Sequence, residues 1–189
     1  GDGKKPDELK KKYSKYLIKK SALLSLKPRI IVCNVDEKSL PVGNKYSKAC
    51  KKKFPNENII VACADIEDQI MRLKAKDRKD FMLESGIKST GLDNLIKTGY
   101  STLGLSTFFT SGPKESRAWT IEKKSKAADA AGVIHTDFKK KFIRAETVTY
   151  EDFIKYKGFN ECKNAGKLRL EGKDYIVKDG DVMFFRTGA

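Results

Sequence analysis

Residues 28–37 read Pro28-Arg29-Ile30-Ile31-Val32-Cys33-Asn34-Val35-Asp36-Glu37, and the first half of the chain is understood through them. Four consecutive apolar residues follow Arg29 and stop at the polar side chain of Asn34. A short unbroken apolar run bounded in this way predicts a strand buried on both faces, as in a parallel sheet. Residues 58–64, Asn-Ile-Ile-Val-Ala-Cys-Ala, form a second run of the same kind and predict a neighbouring parallel strand. In open α/β sheets ligands bind just beyond the carboxyl ends of the strands, which is where Asn34 and Glu37 would lie.

P-loop NTPases place Asn-Lys-x-Asp at that point to read the nucleotide base. Asn34-Val35-Asp36-Glu37 resembles this motif in altered form. Aspartate at the fourth position suits guanine, because one carboxylate accepts from the ring N–H and the exocyclic amine together. Glutamate is a methylene longer and needs a different placement, and the missing lysine stem uncovers one face of the base. The altered site is therefore expected to have a relaxed or changed preference, with backbone groups near Val35 free to pair with adenine's edge. The end of the second run, Cys63-Ala64-Asp65, stands where such enzymes bring small residues against the base. Taken alone, Asn-x-x-Glu is a weak pattern, and a polar turn after a strand reads the same way.

At 189 residues the chain accommodates one substantial domain or two small ones, and 39% hydrophobic residues support a packed core. No apolar run reaches the length of a membrane span. The first residues carry no signal-peptide pattern, so a cytoplasmic location is expected. Cys33, Cys50, Cys63 and Cys162 are scattered without a C-x-x-C pair, and with a single histidine no zinc site is expected. Forty Lys and Arg against 25 Asp and Glu leave a formal net charge of +15. Such a field favours RNA, the ribosome or nucleotide phosphates. The excess is mostly lysine, and a lysine-rich proteome would produce it without any binding site.

Outward from the first strand, residues 7–24 predict a helix, with Pro6 ahead of it and acids in its first turn. Leu9, Tyr13, Tyr16, Leu17 and Leu24 fall on one face, and lysines on the other. Residues 41–54 are rich in turns and lead into a lysine-heavy helix around 46–53. A long charged helix is predicted from Ile66 through Ile70 and Leu73 to Phe81. After Ser89-Thr90-Gly91, Leu92, Leu95, Ile96, Tyr100 and Leu103 recur at helical spacing and are assigned to the core. Beyond Leu105 the composition changes to short strands at 107–110, 116–121, 142–149, 174–177 and 181–186, with a short helix at 127–132. Strands wrapped around one helix in about 85 residues indicate an α+β unit of the ubiquitin-like, β-grasp kind.

Ser-Arg-Ala-Trp-Thr-Ile at 116–121, Ala-Ala-Gly-Val-Ile-His-Thr-Asp-Phe at 130–138, Phe-Ile-Arg-Ala-Glu at 142–146 and the run from Glu171 to Met183 resemble the C-terminal TGS domain of YchF-type, Obg-like ATPases. Upstream, Leu-Leu-Ser-Leu-Lys-Pro at 23–28, the tetrapeptide at 34–37, Thr98-Gly99-Tyr100 and Phe-Phe-Thr-Ser-Gly at 108–112 are similar to the same family in the same order. The resemblance implies an α/β plus α+β fold. Residues 1–27 would end a helical hairpin arm, 28–105 would be the C-terminal part of a P-loop nucleotide-binding domain, and 106–189 the β-grasp TGS domain. It implies an ATP-preferring relative of translational GTPases, a hydrolase using ATP or GTP with Mg²⁺, that associates with the ribosome. Asn34, Val35 and Glu37 would face adenine, opposite a loop formed by Cys63, Ala64 and Asp65.

One departure from the family is large. The sequence holds no G-x-x-x-x-G-K-[ST] loop and no segment for the Mg²⁺-binding groups, on which phosphoryl transfer depends. These residues alone are expected to be inactive, and either they are the C-terminal portion of a longer protein or a truncated product serves as a binding module. The nucleotide region without its upstream strands is expected to expose apolar sheet surface and an unpaired edge. His135, beside Asp137, has no nucleophile placed next to it and reads as structural or partner-contacting. Trp119 is assigned to the core. Lys139, Lys140, Lys141 and Arg144 form the densest basic patch of the second half, a candidate rRNA contact or a solvated turn. The other functional class is a nucleotide-independent RNA- or protein-binding TGS module.

Overall fold

The structure, a computed structural model, describes residues 12, 13 and 15–188. The chain divides into two compact units, Gly1–Leu103 and Gly104–Ala189.

In the first unit, helix α1 (Lys15–Ser21) ends where Ala22 turns to φ 54°, and a 3-10 turn at Leu24–Leu26 follows. The helix expected to begin at Asp7 therefore stops before Leu24, which is 78% exposed and lines no inner face. Residues 1–11, Leu9 included, lie outside the described residues. Strand β1 (Ile30–Asn34) pairs in parallel with β2 (Asn58–Ala62), from Ile30 opposite Asn58 to Asn34 opposite Ala62. The parallel pairing agrees with the sequence reading, but burial on both faces does not, because Val32 is 48% exposed. Two strands alone cannot cover both faces of a sheet.

Helix α2 (Lys45–Lys53) lies between these strands in the chain and starts from a capping box. Asn44 Oδ1 accepts from the N–H of Tyr46 and Ser47, and Ser47 Oγ accepts from the N–H of Asn44. A side chain at Gly43, where φ is +83°, would place its Cβ against Ser47 Oγ, so the turn into α2 admits only glycine.

The expected long helix is two helices, α3 (Ala64–Arg72) and α4 (Ala75–Glu84). Leu73 and Lys74 are extended between them. Arg78 compensates the break, donating from Nε to the Leu73 carbonyl at 3.0 Å and from Nη2 to that of Met71 at 3.1 Å. Cys63, Ile66 and Ile70 form the small core here, with Leu40, Phe81, Met82 and Ile87 around them.

Helix α5 (Gly91–Leu103) corrects a further expectation. None of its residues is buried, and Leu92, Leu95, Ile96, Tyr100 and Leu103 are between 37% and 64% exposed. The helix contacts β2 through Asn58 Nδ2, which donates to Thr102 Oγ1, and through Gly91, which lies against Ala62. Its apolar stripe has too little sheet to pack on.

The second unit is a five-stranded mixed sheet in the order β4-β3-β7-β5-β6. The strands are β3 (Leu105–Ser111), β4 (Ser116–Glu122), β5 (Phe142–Thr149), β6 (Arg169–Glu171) and β7 (Asp181–Thr187). The first and last strands run parallel at the centre and the other pairs are antiparallel. Helix α6 (Ala127–Ile134) packs on one face through Ala127 and Ala130, against Phe108, Ile121, Ala145 and Met183. Adjacent strand residues point to opposite faces. Val148 and Val182, with Phe109, accordingly face the other side, where α8 (Tyr150–Tyr156) and α9 (Phe159–Asn164) supply Phe153, Phe159 and Cys162. Trp119 packs at the edge of the first core and donates to Thr110 Oγ1.

Sequence periodicity missed α8, α9 and the short α7 (Thr136–Lys140). It also placed a strand at 174–177, where only Ile176 bridges Lys126. That segment lines the start of α6 instead. Tyr175 O accepts from Ala127 N, Val177 N donates to Ser125 O, and Lys126 Nζ lies 2.7 Å from Asp174 Oδ1.

Candidate functional site

The parallel register puts the carboxyl ends of β1 and β2 side by side. Each chain then leaves its strand differently. After β1 the backbone forms a 3-10 turn at Glu37–Ser39, and after β2 it enters α3 directly. Cys63 occupies the N-cap of α3 and has no side-chain oxygen with which to cap it. Asn34 takes over that task from the neighbouring strand, its Oδ1 accepting from Ala64 N at 2.9 Å. Glu37 reaches the next turn of α3, where its Oε1 accepts from Gln69 Nε2 at 2.9 Å. The two loops are thus joined by two hydrogen bonds that cross between them.

Of the six expected base-site residues, Asn34, Glu37, Ala64 and Asp65 are exposed together at this end. Val35 and Cys63 are not. Val35 is 7% exposed and its N–H donates to Ala62 O, so that amide is not free for an adenine edge as the sequence reading had it. Cys63 is 1% exposed and packs with Ile66 and Ile70, forming the floor beneath the loop rather than a surface facing a base. Next to Asn34 in the chain, burial and then the neighbouring Cys50 push the Cys33 thiol up, which favours its protonated form.

The chemistry left at the surface is specific. With Oδ1 of Asn34 engaged, its amide offers N–H donors, which suit a ring nitrogen acceptor. Glu37 keeps acceptor capacity beyond its bond to Gln69, which suits an exocyclic amine. Gln69 was missed in the sequence. The available signal was its spacing of four from Asp65, which places both on one face of α3.

At the candidate RNA patch, the four cations are not equivalent. Lys139 Nζ lies 2.7 Å from Asp129 Oδ1, and this partner holds the Asp129 carboxyl below the usual carboxylate range. Lys140, Lys141 and Arg144 are exposed and pair with no carboxylate among the described residues. His135 caps α7, its Nδ1 accepting from Asp137 N at 3.2 Å, which is a structural task. Among the described residues no cluster of three or more His, Cys, Asp or Glu is placed to hold a metal ion, and no helix is long and apolar enough to cross a membrane.

Comparison with known proteins adds a family to this geometry. Residues 105–188 match the family model YchF-GTPase_C, described as a protein of unknown function (DUF933). The chain is 49% identical over 174 residues to the ribosome-binding ATPase YchF of Bacillus subtilis (strain 168), covering 90% of this chain and 48% of that protein. It is 47% identical over 173 residues to the protein of that name from Escherichia coli O157:H7, covering 90% and 47%. The solved structure of the Schizosaccharomyces pombe YchF GTPase superposes with a TM-score of 0.77 at 35% identity, covering 90% of this chain and 46% of that one. A GTP binding protein from Pyrococcus horikoshii OT3, at 18% identity and TM-score 0.57, shares the fold. The chain spans about half the length of the curated relatives it matches.

Proposed function

The chain belongs to the YchF family, and from that premise we propose that it forms the base-reading and ribosome-contacting portion of an ATP-preferring Obg-like ATPase. The observation that carries this reading is the Asn34–Ala64 hydrogen bond. It aligns the two loops that would hold a purine between them and leaves amide donors and a carboxylate on their shared surface. Asn34 donates to a ring nitrogen common to both purines. Glu37 accepts from the adenine amine, with Gln69 setting its position. Ala64 and Asp65 line the opposite side, over a floor of Val35 and Cys63.

Among the described residues no cluster of three or more His, Cys, Asp or Glu is placed to hold Mg²⁺; residues outside these 189 would hold the phosphates and the ion, which would supply charge neutralisation for phosphoryl transfer. Residues 106–189 are assigned as a β-grasp TGS domain. The central parallel pair β3–β7 with α6 packed across the sheet supports that assignment. Lys140, Lys141 and Arg144 are its proposed contact to rRNA, and the cytoplasm is the proposed location, in keeping with relatives named for ribosome binding.

The test uses a protein carrying the phosphate-binding loop together with these residues. Glu37→Asp is expected to move preference from ATP toward GTP, and Glu37→Ala to weaken ATP binding. ATP affinity unchanged by both substitutions would remove the base-reading assignment. A second reading is a nucleotide-independent binding module, favoured by the two-sided core that the second unit builds from its own residues. Ribosome co-sedimentation indifferent to added nucleotide would select it.

A further inference from the structure

We propose that the outer face of α2 is a second polyanion-binding surface, one that docks on the phosphate backbone of double-stranded RNA independently of the patch at Lys140, Lys141 and Arg144. The helix carries Lys45, Lys48, Lys51, Lys52 and Lys53 in nine residues, with no acidic residue among them. Its inner side is set by Ser47, which is 2% exposed, and by half-buried Cys50. All five lysines are exposed and none pairs with a carboxylate among the described residues. Lys45, Lys48 and Lys52 fall at spacings of three and four and so form one row along the helix, with neighbours about 5–6 Å apart at Cβ.

The bland explanation covers only half of this. Lysines in a last turn complement the negative end of the helix dipole, which accounts for Lys51, Lys52 and Lys53. Lys45 opens the helix at its positive end, where the dipole disfavours it and where no acid stands in the first turn, and Lys48 lies near mid-helix, where the dipole gives it no support. Lys48 and Lys52 also repel each other at i, i+4. In α4 the cations are interleaved with Asp77, Asp80 and Glu84, whereas α2 gathers five lysines with no acid and α1 three. A row of phosphates removes every one of these costs together. Beside the row, Tyr46 is 72% exposed with the Lys45 ammonium 5.0 Å from its ring centre, and Val42 is 69% exposed. The capping box at Asn44 fixes the helix start, so the backbone that carries the row is held in place.

The choice of a duplex follows from the linear spacing of the row along the helix. Lysines in line along a helix with one aromatic ring suit a phosphate backbone, whereas single strands are held by successive stacking rings. The experiment measures binding of the purified chain to a fluorescein-labelled 20-base-pair RNA duplex by fluorescence anisotropy across a salt series. Variants are K45E/K48E/K52E, the milder K45Q/K48Q/K52Q, and a control on α4, K76E/K79E. Circular dichroism and thermal melting confirm that each is folded. The α2 variants should weaken binding by at least about tenfold at low salt and flatten the dependence of log K on log salt by about 2–3. The α4 control should change binding less than about threefold. Equal losses from α2 and α4 would reduce the effect to net charge and overturn the proposal. Affinity and salt slope unchanged in the α2 glutamine and glutamate variants would overturn it as well. The nucleotide reading is unaffected by either result, since it is read out by ATP and GTP affinity.

Discussion

The carboxylate of Glu67 caps helix α5 from another helix, Oε1 accepting from the N–H of Gly91 at 2.5 Å and Oε2 from that of Leu92 at 3.3 Å. A Cβ added at Gly91 would lie 2.7 Å from the Cβ of Ala62 and 3.0 Å from Glu67 Oε1. The start of α5 is therefore fixed against β2 and α3 at one point, while the apolar stripe along its remaining length is largely exposed. Glu67→Ala should cost about 1 kcal/mol, as loss of a helix cap does. Gly91→Ala should cost about 1–3 kcal/mol through overpacking. Amide hydrogen exchange in α5 is the readout, because it resolves local opening within one unit of a two-unit chain. Protection unchanged in both variants would show that the cap does not hold the helix.

How much of this was legible in the sequence depends on what each residue's neighbours had to supply. The parallel pair was readable because Ile30, Ile31, Ile59 and Ile60 lie in short apolar runs, and such runs need only local context. The core role of Leu92, Leu95, Ile96 and Leu103 was misread because periodicity reports a face that can be buried, not the presence of a surface to bury it. The break at Leu73 was invisible for a different reason. It is stabilised by Arg78, a residue that favours helices and signals no boundary. At the proposed site, the strand end and the motif pointed to Asn34 and Glu37, which the structure ties to Ala64 and Gln69 of the neighbouring segment. The burial of Val35 and Cys63 was not legible; that of Cys63 depends on Ile66 and Ile70 packing against it from the following helix.

Asn34 performs two separable tasks, and the two ends of its amide divide them. The oxygen holds Ala64, and the nitrogen is the proposed donor to a purine. Asn34→Asp keeps an acceptor for Ala64 N and loses the donor, so folding should be nearly unchanged while nucleotide affinity falls by about tenfold or more, in line with about 1.5 kcal/mol for a lost hydrogen bond. Asn34→Ala loses both and should also lower stability by about 1 kcal/mol. Titration calorimetry with ATP, on a protein that includes the phosphate-binding loop, separates the outcomes. Full affinity in Asn34→Asp would deny the amide its donor role.

A pH signature is expected from the second unit. Asp181 is 2% exposed and accepts from Tyr175 OH at 2.8 Å, Lys178 N at 2.9 Å and Arg169 Nη2 at 3.2 Å. Burial, and then the bond to Asp181, push the Tyr175 phenol up to about 12. Because the folded value is raised above the ordinary value of 10.0, the neutral phenol is favoured by folding. Its contribution is complete below about pH 10 and disappears as pH rises through about 12. Tyr175→Phe should cost about 1–3 kcal/mol at neutral pH by leaving Asp181 short of a donor, and should flatten stability between pH 10 and 12. Urea unfolding at pH 8, 10 and 11 of both proteins checks this, and parallel pH profiles would refute it.

The basic patch of the second unit gives an ordered result because one of its lysines is already paired. Lys139 serves Asp129 within the fold, across side chains that are 59% and 47% exposed. Pairs so exposed contribute little to stability, so Lys139→Gln should leave the unit folded. Its charge is already answered by a carboxylate, and removing it should change ribosome co-sedimentation less than about twofold. Lys140→Gln with Lys141→Gln removes two cations that have no such partner, and Arg144→Gln a third. If these meet rRNA phosphates, each lost contact lowers the salt slope by about 0.7–0.9, and the triple variant should release the chain from ribosomes at markedly lower salt. The reverse order, with Lys139 dominant, would mean that the Asp129 pair opens on binding and that the contact is centred on α7. Retention on ribosomes at unchanged salt in the triple variant would assign these residues to a solvated turn.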